Sequence, residues 1–462
     1  MHGVASCQRS APAPGRHRRP ARTIARLAHN GPVNDLDSFR ALLTEEGREL
    51  LAALRDHTPD QELALASRLR REHPAGLVSA ALGQARLRQR AVAKFGAEDA
   101  YRMFFTPHGV EQATRRPVAE YRARRFRELL PASGGPARVA DLCCGIGGDA
   151  VALLRAGFAV TAVDLDPLTC EVVRANGAAL VPDGSLEVRQ EDVTAYSPGH
   201  TDATDGTEGT DALFTDPARR TSGAARGRGR IFDPEAYSPP LSWALEAVRR
   251  VGAGAVKIAP GIPHELVPDD FEAEWISDGG DVKEAVLWHD GRTAATHPGS
   301  GSEGAGPGST GAVRPGVFRA TLLPSGATLT GRGLPDPEVR KVGRYLYEPD
   351  GAVIRAHLVA EVAEELGAGL IDPTIAYLTA DEPRPTPYAT CYEITDELPF
   401  GLKRLKALLR EREVGTLTVK KRGSAVEPEE VRRRVKPKGP NAATVFLTRV
   451  AGAPAMLIGR PC

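Results

Sequence analysis

The chain has 462 residues, 41% of them apolar and 26% charged, which is too long for one ordinary core and predicts two or three folded units. Sixty Lys and Arg against 59 Asp and Glu leave a formal net charge of +1, so overall charge points to no acidic partner and only local clusters carry information. No apolar run reaches the roughly 18 residues of a membrane span, and the Arg-rich start lacks the apolar stretch of a signal peptide, so the expected location is the cytoplasm, with no membrane partner. Six cysteines, Cys7, Cys143, Cys144, Cys170, Cys391 and Cys462, form no C-x-x-C pair and no ligand spacing with histidines; reduced thiols and no bound metal are expected.

Residues 1–34 carry Arg, Ala and Pro with almost no acid, and read as a flexible basic arm or as an upstream start that the native protein does not use. In 35–130 apolar residues recur at helical spacing (Leu42, Leu43; Leu50, Leu51, Leu54; Leu77, Leu82, Leu87), which predicts a helical region. Pro131 and Gly134-Gly135 mark a boundary near 131. Over 131–334 short apolar runs alternate with helical patterns: strands at 138–143, 159–163, near 186, 212–215, 253–258 and, sixth, 282–288, with helices at 150–156 and 168–176. That alternation predicts a parallel sheet with crossover helices. Two polar segments interrupt it, 198–210 and 291–316, and read as disordered surface loops. From 335 to 462 a second α/β unit is predicted, with a helix at 352–366, a basic helix at 402–411 and strands at 414–420, 443–450 and 455–458.

The run Val139-Ala140-Asp141-Leu142-Cys143-Cys144-Gly145-Ile146-Gly147-Gly148-Asp149-Ala150 is a strand entering a glycine turn and then a helix, so Gly145, Gly147 and Gly148 let backbone approach a ligand closely. The same run fits a dinucleotide fingerprint, which makes a nicotinamide or flavin enzyme the first rival. Asp141 distinguishes them: just before the glycines it can pair with the cationic amino group of S-adenosylmethionine, a group that a dinucleotide lacks. Asp164, at the end of the second strand, suits the ribose hydroxyls of either cofactor.

Asp141 to Gly148, Asp164, Asp192 and Asp216-Pro217, in this order and at this spacing, resemble the class I SAM-dependent methyltransferases over roughly residues 131–290. The resemblance implies S-adenosylmethionine as cofactor and places the Asp192 carboxylate on the adenine amino group; from the residues alone, Asp192 can equally be a loop acid or a helix cap. The fold it implies is α/β, a Rossmann-like methyltransferase domain preceded by the helical region and followed by a small α/β domain.

Phe214-Thr215-Asp216-Pro217-Ala218-Arg219-Arg220 falls at the end of the fourth strand, where open α/β sheets bind ligands. Amino-methylating relatives carry D/N-P-P and an aromatic there; Asp216 and Pro217 match, while Ala218 and Arg219 do not. The missing aromatic removes a base-stacking platform, and Arg219 and Arg220 supply donors suited to phosphate or carboxylate, which weakens the amine reading and favours an anionic substrate. No cysteine follows Pro217, which argues against covalent carbon-5 methylation. Lys257 and Glu284, with Asp216, resemble the K-D-K-E tetrad of RNA 2'-O-methyltransferases, in which a lysine of lowered pKa takes the hydroxyl proton. The tetrad's first lysine has no clear counterpart, and Arg124, Arg125 or Arg127 could lend only charge support. A plain strand-end lysine paired with Glu284 is the alternative for Lys257.

Residues 403–438 hold thirteen Lys and Arg against five Asp and Glu, a local basic surface that includes Lys420, Lys421 and Arg422. The run 414–423 and Lys438-Gly439-Pro440-Asn441 resemble the THUMP-like domain at the C-terminus of some bacterial class I methyltransferases, and Glu111-Gln112-Ala113-Thr114 resembles the helical lead-in of that group. The resemblance implies a structured RNA, tRNA or rRNA, as partner, bound through shape and phosphate because aromatics are scarce. Two other functions stay open: a small-molecule or protein methyltransferase, and a noncatalytic RNA-binding protein that retains S-adenosylmethionine. Base amine or ribose oxygen, and oligomeric state, are left open.

Overall fold

The computed structural model describes residues 34–130, 135–199, 209–219, 233–291 and 313–462. The N-terminal arm up to residue 33, most of the insertions at 198–210 and 291–316, and Arg220 lie outside the described residues.

Helices come first: α1 (Asn34–Leu42), α2 (Glu45–Ala53), α3 (Glu62–Leu69), α4 (Ala75–Ala100), α5 (Pro107–Gln112) and α6 (Arg116–Leu129). Local chemistry starts several of them. Thr44 and Thr106 accept the backbone N–H of Gly47 and Gly109, so each caps a helix, and Pro107 fits the first turn of α5, where its missing N–H costs nothing. Leu77, Val78, Ala81, Leu82 and Ala85 form the buried stripe of α4, against which α1 and α2 pack with Phe39, Leu50 and Leu54.

After the helices, β1 (Arg138–Leu142), α7 (Gly148–Arg155), β2 (Ala159–Asp164), α8 (Pro167–Leu180) and β3 (Leu186–Gln190) build outward in one direction. The chain then returns through β4 (Ala212–Thr215), α9 (Leu241–Val251) and β5 (Ala253–Ile258) on the other side of β1. β6 (Glu272–Asp278), β7 (Asp281–Asp290), β8 (Phe318–Leu323) and β9 (Ala327–Thr330) complete a nine-stranded sheet of order β3-β2-β1-β4-β5-β7-β6-β8-β9. β1 to β5 are mutually parallel and β7 runs antiparallel to both β5 and β6. The direction of winding reverses between β1 and β4, which opens a crevice at the carboxyl ends of those strands.

One strand is invisible in the sequence pattern. β6 carries Glu272 and Glu274, both fully buried, so the segment reads as polar although every side chain from Glu272 to Ser277 is inside. Glu284 therefore lies on the seventh strand, not the sixth.

Beyond β9 come β10 (Tyr345–Pro349), α10 (Gly351–Arg355), α11 (Val359–Leu366), β11 (Gly369–Asp372), β12 (Ile375–Ala380), β13 (Ala389–Pro399), α12 (Leu402–Glu411), β14 (Val414–Lys421), α13 (Pro428–Val435), β15 (Asn441–Val450) and β16 (Ala453–Pro461). The strands form a seven-stranded sheet of order β11-β12-β10-β13-β16-β15-β14, in which β14 and β15 are parallel. α12 and α13 cover one face through Leu405, Leu409, Val431 and Val435. The single helix expected over 352–366 is two helices, because His357 takes a left-handed φ of 57° between them. Ala352, Val353, Val362 and Leu366 pack in one core with Trp275, Leu287 and Ala320 of the large sheet, so these helices seal the second sheet to the first.

The expectation of reduced thiols fails at one pair. β13 and β16 run antiparallel and bring Cys391 and Cys462, 71 residues apart, to a Cα separation of 5.5 Å, where they form a disulfide. Cys143, Cys144 and Cys170 remain thiols. No helix among the described residues is long and apolar enough to cross a membrane.

Candidate active site

Strand register assembles the site. Leu142 pairs with Val163 on one side and Thr215 on the other, so Asp141, Asp164 and Asp216 emerge at one edge of the parallel sheet. Thr215 pairs with Val256 and Ile258 with Ala285, which brings Lys257 and Glu284 to the same edge. A cavity of about 350 Å³ opens there, lined by Asp141, residues 143–146, Gly148, Asp149, Asp164, Asp216, Lys257 and Glu284, and by residues 111–115. Pro217 and Arg219 line it as well.

Gly145 and Gly147 stand in the left-handed region at φ 54° and 80°, and a Cβ on Gly147 would meet Val173 at 3.1 Å. Gly145 donates its N–H to Asp164 Oδ2 at 3.1 Å, and Asp166 donates to Oδ1 at 3.0 Å, which orients that carboxylate beside the glycine turn. Burial raises the Asp164 pKa against these two bonds. Asp141 is 1% exposed, and its Oδ2 has no hydrogen-bond partner. Burial pushes its pKa well up, and the neighbouring Asp149 adds to the rise while Arg122 opposes it. A buried carboxylate oxygen facing a cavity without a partner is what a cationic ligand would satisfy.

Lys257 Nζ lies 2.7 Å from Asp216 Oδ2, 3.0 Å from Thr114 Oγ1 and 3.8 Å from Glu284 Oε2, and the lysine is 4% exposed. Burial alone would lower its pKa; Asp216 and Glu284 outweigh burial and raise it. The direction is opposite to the lowered pKa expected of a lysine base, because two carboxylates favour the ammonium form. Arg122 bonds both Asp149 and Glu284 and stacks its guanidinium on Phe214. It is the cation that sequence reasoning missed, because Arg124 and Arg127 are exposed and Arg125 belongs to a separate cluster with Glu272 and Glu274. The signal was present in the helix period, since Arg122 is flanked by Val118 and Phe126 on the buried stripe of α6. Thr114 also comes from the lead-in segment that the sequence singled out for other reasons.

Other expected residues lie apart. Asp192 does not line the cavity; its Oδ1 accepts the N–H and hydroxyl of Thr194 at 2.9 and 2.7 Å and caps the short turn Val193–Ala195. Lys420, Lys421 and Arg422 are in the second sheet, each with a carboxylate: Lys420 bonds Glu348, Lys421 reaches Glu427 at 2.6 Å and Arg422 reaches Glu348 at 3.9 Å. Three open phosphate donors are thus not found there. The exposed cations of that sheet sit on its helical layer instead: Lys403, Arg404, Lys406 and Arg410 on α12, Arg433 on α13, then Lys436 and Lys438, with no carboxylate within 4 Å among the described residues. Burial raises the thiols of Cys143 and Cys144, and that of Cys170 to about 11, so none supplies a thiolate.

Residues 389–461 match a family model described as THUMP domain-like, and residues 35–91 match one described as a domain of unknown function. The chain is 32% identical over 372 residues to an uncharacterized S-adenosylmethionine-dependent methyltransferase of Mycobacterium tuberculosis, present in strains CDC 1551 and H37Rv, an alignment spanning 79% of this chain and 90% of the relative. A crystal structure from Porphyromonas gingivalis W83, of a protein named as a candidate methyltransferase, shares the fold with a TM-score of 0.65 at 19% identity, covering 90% of this chain and 98% of that one.

Proposed function

The chain belongs to the S-adenosylmethionine-dependent methyltransferases, and from that premise we propose that it methylates an exocyclic amine of a structured RNA, tRNA or rRNA, in the cytoplasm. The observation that carries this reading is the Asp216 carboxylate on the wall of the cavity that also contains Asp141 and Asp164, pinned by Lys257 at 2.7 Å.

The residues fit the cofactor. Asp141, with its unpartnered buried oxygen, would hold the α-ammonium; the glycine turn would admit the close backbone approach; Asp164 would take the ribose hydroxyls. Bound there, S-adenosylmethionine supplies a methyl group on a sulfonium. Asp216 and the Pro217 carbonyl accept N–H bonds from the substrate amine and turn its lone pair into the cavity. The nitrogen would take the methyl carbon as the carbon–sulfur bond of the sulfonium breaks and its electron pair returns to sulfur, leaving a neutral thioether, and the surplus amine proton would pass to the Asp216 carboxylate and on to water. Lys257 fixes Asp216 through the 2.7 Å bond and neutralises part of the acidic wall. A ribose hydroxyl would need a lysine that gives up its proton readily, and the raised pKa of Lys257 beside Asp216 and Glu284 works against that, which favours the amine.

The RNA partner rests on the THUMP domain-like match and on the unpaired cations of α12 and α13, which offer a phosphate backbone a basic helical face. The test is incubation of the protein with methyl-labelled S-adenosylmethionine and total RNA from a strain lacking the gene. Label in one RNA class, found on a base nitrogen after nucleoside analysis and lost in Asp216→Ala while cofactor binding persists, is the expected result. Label on the ribose oxygen would overturn the amine assignment, and label confined to protein or metabolites would overturn the RNA.

A further inference from the structure

A second cavity, of about 920 Å³, lies between the N-terminal helices and the outer face of α8. Its wall is apolar where Leu43, Leu51, Ala52, Ala175, Ala178 and Ala179 meet, and cationic elsewhere: Arg48, Arg55, Arg88 and Arg102 line it against the single carboxylate of Glu98. Arg48, Arg55 and Arg102 are exposed at the rim, and none of the four has a carboxylate within 4 Å among the described residues.

Arg88 is the informative member. It is 8% exposed, and its guanidinium is stacked over Phe104 with Nε donating to the Met103 carbonyl at 2.8 Å. The other buried arginines, Arg122, Arg125 and Arg319, each have a carboxylate partner. Arg88 has none, and burial pulls its pKa down to about 10. A buried guanidinium without a counter-charge carries an uncompensated desolvation cost that a bound anion would offset. We propose that this cavity binds a phosphate ester, its phosphate held by Arg88 and the rim arginines and its apolar body laid against the alanine face of α8.

Phosphate is the anion favoured by several guanidinium groups lining one cavity, because a guanidinium fork can give two parallel N–H bonds to its oxygens. The cavity is nucleotide-sized and flanked by the rings of Tyr101 and Phe104. The inference is independent of which substrate receives the methyl group. It has a structural route to the first cavity: Asn176 on α8 clamps both backbone groups of Phe104, at 2.7 and 3.0 Å, and donates to the Ile146 carbonyl of the glycine turn at 2.8 Å.

The test is calorimetry on the full chain, with the cofactor cavity saturated by S-adenosylhomocysteine, using inorganic pyrophosphate and a short fluorescein-labelled RNA as probes. Pyrophosphate is expected to bind at one site, with affinity about tenfold weaker in the rim variant Arg48→Glu/Arg55→Glu and in Arg88→Met. The rim variant changes only exposed side chains, so it answers even if Arg88→Met fails to fold. Competition between pyrophosphate and the RNA would identify the ester as nucleic-acid backbone, and pyrophosphate binding without competition would identify a free phosphate ester. Absence of pyrophosphate binding, or binding unchanged in the rim variant, overturns the proposal.

Discussion

Helix α6 buries two arginines three residues apart, and they serve opposite ends. Arg125 meets Glu272 at 3.1 Å and Glu274 at 3.7 Å, in a cluster closed by Arg319, Tyr121, Thr321 and the Trp288 indole, which donates to Glu274 at 2.9 Å. Arg122 meets Asp149 and Glu284 in a cluster that faces the cavity and leaves Asp141 Oδ2 without a partner. Where nearly every acid is answered from within the protein, buried charge locks α6 to the sheet. Where one acid is left unanswered beside open space, the same helix presents a site. Buried arginine nitrogens lack a hydrogen-bond partner in both clusters, so an unanswered acid beside open space, rather than buried charge itself, separates the two.

The largest effect expected from this contrast is on stability. Arg125→Met should leave Glu272 and Glu274 buried without their shared cation and cost about 3–5 kcal/mol, read as urea unfolding, with cofactor affinity of the folded fraction unchanged. A loss below about 1 kcal/mol would mean that the closed cluster does not hold α6 and that the contrast is misdrawn. Next, Asp216→Ala should lower methyl transfer by about 10²–10³-fold, with S-adenosylmethionine affinity held within about threefold. Equal losses in both measurements would reassign Asp216 to cofactor holding.

Asp141→Asn should weaken S-adenosylmethionine binding by about 10–100-fold, the loss of one charge-assisted bond. The pH dependence follows from the raised pKa of Asp141. Below that pKa the carboxyl is neutral and cannot pair with an ammonium, so wild-type affinity falls as pH drops and recovers as the proton leaves. In Asp141→Asn this acid limb should flatten. Titration calorimetry across the acid range checks it, and a wild-type affinity that does not change with pH would remove Asp141 from the ammonium.

The glycine turn and the three aspartates were legible in the sequence because strand, turn and helix follow one another locally and each acid ends a strand. The basic helix of the second sheet was legible for the same reason, at Leu402–Glu411. What escaped depends on partners far along the chain. β6 looked polar because Glu272 and Glu274 are matched by Arg125, which lies 147 residues before Glu272 in the chain. Arg122 was passed over for Arg124, Arg125 and Arg127 although the helix period with Val118 and Phe126 puts it on the buried stripe; its carboxylate partners, Asp149 and Glu284, lie far along the chain. The charge state of Lys257 could not be read from type or spacing, since its direction is set by carboxylates at 2.7 and 3.8 Å. Lys420, Lys421 and Arg422 looked like open donors until their carboxylates were in place.

The smallest effect sharpens the comparison most. Arg122→Lys keeps the positive charge and most of the aliphatic stem but replaces a planar fork that reaches Asp149 and Glu284 together with a single ammonium. Glu284 is then steered less firmly toward Lys257, and Lys257 toward Asp216, although neither side chain is altered. Turnover should fall about threefold to tenfold, roughly 1 kcal/mol, with KM for the cofactor steady and thermal stability little changed. Arg122→Met, which removes the charge, should lose more in both turnover and stability, so the lysine variant is a partial rescue that a merely space-filling arginine would not show. Arg125→Lys is the matched control: inside the closed cluster it should lower stability and leave turnover alone. If the two lysine variants behave alike, α6 buries two structural cations, and the open cluster owes its chemistry to the strands only.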